Sequence, residues 1–307
     1  MSELERVFLK TISREVLFPR GSSVCAAVSG GADSVAMLHL LYRHSSSRGF
    51  RLRVLHINHR LRPQADHDQR FVEDLAKNLS LEFTAVNPDP DSGGSMESQW
   101  STARQAVYAE QEGLVAVAHN ACDRAETLLL RMVEGAGLRG LGGMDYLGKG
   151  PVRRPMLDMH GDSIREWLQS ENLSWVEDHT NHDIAMARNR MRLKVIPVLE
   201  ENFPLAVKGL CRTGSILSGW RDLQNRITEL LPNDSITRKD FLCLPEVLGC
   251  VALWHLSGKP RSGFEEFVKV YRWIVRDGTG EHILPGGKRL LAEEEHIRVE
   301  ERGPGRF

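Results

Sequence analysis

The sequence predicts an α/β protein: a parallel-sheet domain followed by a smaller, mainly helical one. Three observations carry this. Short apolar runs alternate with amphipathic stretches through the first half of the chain, the pattern of βαβ units and a parallel sheet. A glycine-rich turn follows directly on the first apolar run, where open sheets bind ligands. From Ser163 onward the pattern turns helical.

Taken in order, Ser2 followed by Glu5 has the form of a capping box. It opens a helix with Leu4, Val7, Phe8 and Ile12 as its buried stripe. Residues 24–28 (Val-Cys-Ala-Ala-Val) read as a strand and 35–42 as a helix. Residues 52–57 read as the next strand, and 71–79 as a helix with Val72, Leu75, Ala76 and Leu79 on one face. Strands at 81–86 and 114–118 alternate with helices at 98–112 and 126–133. The stretch 87–95, Asn-Pro-Asp-Pro-Asp-Ser-Gly-Gly-Ser, is a loop. Glycine-rich 135–150 leads out of the sheet domain. Helices are expected at 188–199, 216–231 and 264–274, with a hairpin over 282–300. The expected domains are therefore 1–150 for the sheet, 151–231 for a linker and helical part, and 232–307 for a small α+β region. Trp167, Trp175, Trp220, Trp254 and Trp273 sit among apolar residues and are expected in the core.

The 307 residues carry 40 Lys plus Arg against 41 Asp plus Glu, with 41% hydrophobic and 26% charged residues. That balance excludes wholesale disorder. No apolar run approaches the ~18–20 residues of a membrane span, so no membrane partner is expected. The start, Met-Ser-Glu-Leu-Glu-Arg, lacks the basic and apolar regions of a signal peptide. Cys25, Cys122, Cys211, Cys243 and Cys250 are scattered with no C-x-x-C pair, which suits a reducing cytoplasm and argues against a zinc or iron–sulfur site. The near-zero net charge hides segregation. Arg48, Arg51, Arg53, Arg60 and Arg62 lie in a stretch without acids, while Glu293–Glu295 and Glu300–Glu301 cluster near the end.

The strongest motif is Ser29-Gly30-Gly31-Ala32-Asp33-Ser34, directly after the 24–28 strand. A strand, a tight Gly-Gly turn and a helix start present free backbone N–H groups to an anion. Ser29 and Ser34 add hydroxyls. Asp33 is foreign to a pure anion cradle, and its use is to hold Mg²⁺ bridging phosphates. The loop has no Walker A lysine. A literal G-x-G-x-x-G at Gly135–Gly140 follows a helix rather than a strand, and reads as a helix end and turn. A second acidic cluster, Asp123 and Glu126, follows the 114–118 strand and so also lies at a carboxyl end. With Thr127 these acids share a helix face, leaving Leu128, Leu129 and Met132 for the buried side. Acids in a first turn also suit the helix dipole. Beside a phosphate loop they suggest shared Mg²⁺ binding or capture of an amine.

The loop is the signature of the PP-loop, or N-type, ATP pyrophosphatases, which cleave ATP between the α and β phosphates. Further segments resemble the tRNA(Ile)-lysidine synthetase family. His56-Ile-Asn-His59-Arg-Leu-Arg62-Pro63 resembles H-V-D-H-G-L-R-P. The His119–Thr127 run resembles H-x-x-D-D-x-x-E-T and continues into Gly135-Ala-Gly-Leu-Arg-Gly-Leu141. Arg154-Pro155-Met-Leu157 resembles R-P-L-L. Trp175-Val-Glu-Asp178, then Ala187-Arg188-Asn189-Arg190-Met-Arg192, resembles W-x-E-D followed by R-N-x-[IL]-R. The resemblance covers about residues 20–205.

It implies a Rossmann-like PP-loop ATPase domain (adenine nucleotide alpha hydrolase-like). It also implies ATP-dependent ligation of L-lysine to C2 of the wobble cytidine of the CAU-anticodon tRNA(Ile), with ATP and Mg²⁺ as cofactors. Ser29–Ser34 would bind ATP, with His56 and Asn58 near adenine and Arg188 on the phosphates. Asp33, Asp123, Glu126 and Arg188 would be catalytic, and Asp33 and Asp123 would hold the metal. Arg104, Asp123 and Glu126 would bind lysine. Arg139, Arg154, Arg190, Arg192 and Lys194 would contact tRNA, and the resemblance is compatible with a homodimer. The chain departs from the family pattern with Asn58 for Asp, Arg60 for Gly, Trp100 for Glu, Val107 for Arg, and Cys122 for the first of two adjacent acids. Two alternatives follow from these departures: a related PP-loop enzyme acting on another tRNA base or nucleotide, and a catalytically drifted tRNA-binding paralogue.

Overall fold

A computed structural model describes residues 1–58, 65–88, 96–177, 187–230, 235–258, 264–276, 278–285 and 287–301. Two compact units divide the chain at Ser218 and Gly219.

The first unit opens on helix α1 (Glu3–Arg14), started by the expected capping box: the Ser2 amide donates to Glu5 at 2.8 Å and the Glu5 amide to the Ser2 hydroxyl at 3.2 Å. Strands β1 (Ser23–Ala27), β2 (Arg51–Ile57), β3 (Phe83–Val86), β4 (Leu114–Ala116) and β5 (Val152–Arg153) form one parallel sheet in the order β3-β2-β1-β4-β5. Helices α2 (Ala32–Arg48), α3 (Ala65–Asn78), α4 (Met96–Ala109), α5 (Ala121–Val133), α6 (Leu138–Leu141) and α7 (Gly161–Ser170) connect and cover it. Both faces are buried, as parallel sheets require. Val24, Ala26, Val54 and Ala116 share a core with Phe8 of α1, Leu38 of α2 and Trp167 of α7. Their strand neighbours Cys25, Leu55 and Val115 cluster instead with Val107 and Tyr108 of α4. Burial on both faces is why these strands read as continuous apolar runs.

The chain lays down β1, β2 and β3 toward one edge, then returns to place β4 on the other side of β1. The order therefore reverses between β1 and β4, and ligands of open α/β sheets bind in the crevice beyond the carboxyl ends at such a point. The two strands lie close because Gly113, at φ +83°, precedes β4, where any Cβ would collide with the Ser23 carbonyl.

Several elements differ from their sequence expectation. Helix α2 runs well beyond 35–42 at both ends; Val35 to Leu41 are buried almost all round, so no amphipathic period marks its extent. The expected helix at 188–199 is three segments: α8 (Ala187–Arg190), a π-helical turn (Met191–Val195) and α9 (Ile196–Asn202). Pro197 explains the break, because it has no N–H to donate to the preceding turn. Helix α10 (Ala206–Leu230) begins ten residues before the expected 216. Met132, expected on the buried side of α5, is 54% exposed, and Trp220, expected in the core, is 57% exposed. Trp167 and Trp175 do join the first core, and Trp254 and Trp273 pack on the second.

The second unit pairs β6 (Ser235–Thr237), β7 (Gly280–Ile283), β8 (Arg289–Ala292) and β9 (His296–Glu300) in an antiparallel sheet of order β6-β9-β8-β7. With α11 (Arg238–Leu242), α12 (Glu246–Leu256) and α13 (Phe264–Val275) it encloses Phe241, Leu253, Phe267, Ile274, Leu290 and Ile297. These elements make the second unit α+β, with antiparallel strands at its end.

One polar knot fastens α1 to the segment after β5. Asp158 accepts from Thr11 Oγ1 at 2.8 Å, Arg14 Nη2 at 2.9 Å and Tyr146 Oη at 2.6 Å. The Tyr146 ring also stacks with the guanidiniums of Arg14 and Arg124. Burial raises the Asp158 pKa, but Tyr146, Thr11 and Arg14 outweigh it and hold the carboxyl below its ordinary range. Asp158→Asn is therefore expected to destabilise the first unit by about 1–2 kcal/mol at pH 7, read from urea melts. The folded-state pKa is depressed, so the wild-type advantage is full above the unfolded value near 4 and should vanish as pH falls through the folded one. An Asp158→Asn penalty that stayed constant down to pH 3 would contradict this.

Candidate active site

The crevice between β1 and β4 receives the two motifs that follow those strands. After β1, the phosphate loop is closed on itself by Ser34. The buried Ser34 hydroxyl accepts from the amides of Ser29 and Gly30, both at 3.2 Å, and donates to the Gly31 carbonyl at 2.8 Å. Gly30 sits at φ +97°, a conformation that favours glycine. From outside the loop, the amide of Val176 donates to the Gly30 carbonyl at 2.9 Å. Gly31 then caps α2, which places Ala32 and Asp33 in its first turn.

After β4, Asn120 caps α5. Its side chain accepts from the Asp123 amide at 3.1 Å, and Asp123 Oδ2 accepts from the Asn120 amide at 2.9 Å. The box fixes the Asp123 rotamer and turns Oδ1 outward from the cap. Thr127, expected on the same face, donates back to the Asp123 carbonyl at 2.8 Å.

Two arginines meet the acids. Arg188 donates from Nη2 to Asp123 Oδ1 and from Nε to Glu126 Oε2, each at 3.0 Å. Arg192 donates from Nη2 to Asp123 Oδ1 at 2.8 Å and from Nε to Glu126 Oε1 at 2.7 Å. The i, i+3 spacing of the acids on α5 meets the i, i+4 spacing of the arginines on the facing segment. Glu126 has no exposure, so it requires such partners. Burial raises the Asp123 pKa, yet Arg188, the Asn120 amide and Arg192 together hold it low. Asp33 behaves oppositely. Burial pushes its carboxyl up to about 6, and the charge of Asp123 adds to this. Asp33 Oδ1 is buried without a hydrogen-bond partner.

That orphaned oxygen tests the metal reading. A buried carboxylate oxygen beside a second carboxylate fits a divalent cation, and among the described residues no side chain hydrogen-bonds to it. Among the described residues no cluster of three or more His, Cys, Asp or Glu could hold a metal alone. Asp33 and Asp123 would supply the one or two carboxylates that Mg²⁺ takes alongside substrate phosphates.

The remaining expected residues fall as follows. His56 is buried at the end of β2, its Nδ1–H donating to the Val28 carbonyl at 2.9 Å, and burial lowers its pKa. Asn58 is buried beside it and donates to Gln69 Oε1 at 2.9 Å. Both thus shape the floor of the strand end. Arg104 is half-buried on α4, with its charge acting on Tyr108 and His119. Arg154, expected at tRNA, turns inward to His119 Nδ1 at 3.1 Å and the Asp145 carbonyl at 2.8 Å. Arg192, also expected at tRNA, lies on the carboxylates instead. Arg190 and Lys194 are exposed. The side chain of Arg139 and the segments 59–64 and 178–186 lie outside the described residues.

Sequence reasoning missed three members of the site. His119 is held neutral by burial, and because its Nδ1 accepts from Arg154, its proton sits on Nε2. Asn120 was legible as a cap three residues before Asp123. Val176 carries no signal, since it acts through its backbone.

The comparisons agree with this geometry. A family model described as the PP-loop domain matches residues 2–199. The chain is 36% identical over 242 residues to a tRNA(Ile)-lysidine synthase of Azoarcus, covering 75% of this chain and 53% of that one. It is 37% identical to the Geobacter sulfurreducens enzyme of the same name, covering 69% and 48%, and 35% identical to that of Chlorobaculum tepidum, covering 66% and 64%. The chain thus spans about half the length of the first two relatives. Among solved structures, the U34-tRNA thiolase NcsA from Methanococcus maripaludis shares the fold at TM-score 0.61 and 17% identity, covering 71% of this chain and 79% of that one. With the family model spanning the sheet, the loop, both acids and both arginines, the chain belongs to the PP-loop domain family.

Proposed function

We propose that the chain is a tRNA(Ile)-lysidine synthase. One observation carries the reading: a pair of buried carboxylates, Asp123 and Glu126, is filled by cationic side chains at a crevice whose other wall is a phosphate loop. Such a site can hold a triphosphate and an amino-acid ammonium side by side. The names of the relatives supply the acceptor.

In the first step the C2 oxygen of the wobble cytidine attacks the α-phosphorus of ATP, and pyrophosphate leaves. The loop amides and the Ser29 and Ser34 hydroxyls bind the departing phosphates. Arg188 spreads its planar guanidinium over the phosphoryl oxygens. Asp33 and Asp123 would hold Mg²⁺, which neutralises charge on the triphosphate when bound. In the second step the lysine side-chain amine, in its neutral form, attacks C2; AMP leaves with the former C2 oxygen and the nitrogen releases a proton to solvent. Asp123 and Glu126 orient the amino acid through its ammonium, with Arg104 alongside, which turns a bimolecular attack into an oriented one. Neutral His119 contributes an Nε2–H donor beside Asp123. His56 and Asn58 line the adenine side, and Arg139, Arg190 and Lys194 belong to the tRNA contacts. The product cytidine pairs with A instead of G, so the tRNA reads AUA in place of AUG.

Purified chain given ATP, radiolabelled lysine and CAU-anticodon tRNA is expected to incorporate lysine, and EDTA should stop it. Nucleoside analysis of the tRNA should show lysidine; an amidated or thiolated base would refute the assignment. Asp33→Ala should lower ATP–pyrophosphate exchange by at least ~100-fold, because charge stabilisation at the phosphates is lost. tRNA affinity, set by other residues, should change little in a filter-binding assay. Exchange that survived the substitution would remove Asp33 from the metal site.

A further inference from the structure

Arg192 is the residue whose position departs most from its sequence expectation. Every carboxylate oxygen of the acid pair is already engaged: Asp123 Oδ2 by the Asn120 amide, Asp123 Oδ1 by both arginines, Glu126 Oε1 by Arg192, and Glu126 Oε2 by Arg188 and, at 3.2 Å, by Arg192. An ammonium group seeking the same oxygens must displace a guanidinium.

We propose that Arg192, with Arg188, is a counter-ion gate: the arginines occupy the amino-acid carboxylates in the free enzyme and transfer to the triphosphate when ATP binds, so that lysine enters second. The proposal rests on the lysidine synthase reading. Its chemistry is a competition between like cations for one anion pair. A displaced guanidinium needs a new anion, and the nearest supply is the triphosphate on the facing loop. Arg192 does not have far to go, since its charge already acts on Asp33 in that loop. The segment that carries it is suited to shift. Arg192 belongs to the π-helical turn Met191–Val195, none of whose residues is buried, and the π ladder is an irregular one often found at functional sites. Arg188 and Arg192 keep side-chain exposures of 31% and 37%, so neither is locked by packing. Arg192 is thus a positioning residue that sets binding order.

The gate makes nucleotide and lysine affinities reciprocally coupled. Calorimetry on the full chain with L-lysine, with and without α,β-methylene-ATP and Mg²⁺, reads that coupling. For wild type, nucleotide should tighten lysine binding by about 10-fold or more, within the usual span of coupling energies. Arg192→Gln should bind lysine without nucleotide, with the coupling reduced below about 3-fold. Arg192→Lys, which keeps the charge, should retain most of it. Analogue binding by both variants reports that they are folded, and a merely structural role for Arg192 would not selectively erase the coupling. Equal lysine affinity with and without nucleotide in wild type, or undiminished coupling in Arg192→Gln, would overturn the gate while leaving lysine as substrate. A chain that binds the analogue but never binds lysine would overturn the lysine reading, and the gate with it.

Discussion

A carboxylate with no exposure needs a cation, and Glu126 imposes that demand on the first unit. It is met by Arg188 and Arg192, contributed by a segment far along the chain. The consequence is organisational. The helix after β4 cannot bury its acids unless the segment 187–195 docks on it, and that docking brings two guanidiniums to the crevice mouth. Removing either arginine would leave charge buried without full compensation, a costly defect in a protein interior. The same ion pairs that complete the packing therefore bring to the crevice the guanidiniums that the proposed phosphate chemistry uses.

The sheet supplies the complementary constraint. Because strand order reverses between β1 and β4, the turns after them must diverge and leave a crevice. One turn is rich in amide donors and the other in carboxylates. Their opposed character explains the opposite behaviour of the neighbouring aspartates. Asp123 has arginines and a cap and is held ionised, whereas Asp33 has burial and a negative neighbour and is pushed toward neutrality. A divalent ion beside them would relieve Asp33, whose Oδ1 has no hydrogen-bond partner.

The parts of this arrangement that were legible in the sequence are those with local causes. The Ser29–Ser34 turn follows a strand within a few residues, and the capping box at Ser2 and Glu5 is complete within one helical turn. Asp123 and Glu126 were placed on one face by spacing alone. The docking of Arg192 was not legible, because its carboxylate partner lies 66 residues away and nothing local distinguishes it from an arginine on a solvated face. Helix periodicity likewise marked Met132 as apolar without showing whether a neighbour covers it. Helix α2 concealed its length because burial all round erases the period, and Pro197 announced a disturbance without specifying a π turn.

The bond from the Val176 amide to the Gly30 carbonyl has a consequence beyond cohesion. A trans peptide holds its carbonyl and the following N–H in one plane, pointing in opposite directions across the C–N bond. Holding the Gly30 oxygen from outside therefore dictates where the Gly31 hydrogen points. Without that tether a Gly-Gly peptide could rotate about its flanking torsions and present an oxygen where an anion expects a donor. The loop is thus set to one polarity before any ligand arrives, by a residue whose side chain is irrelevant to the task.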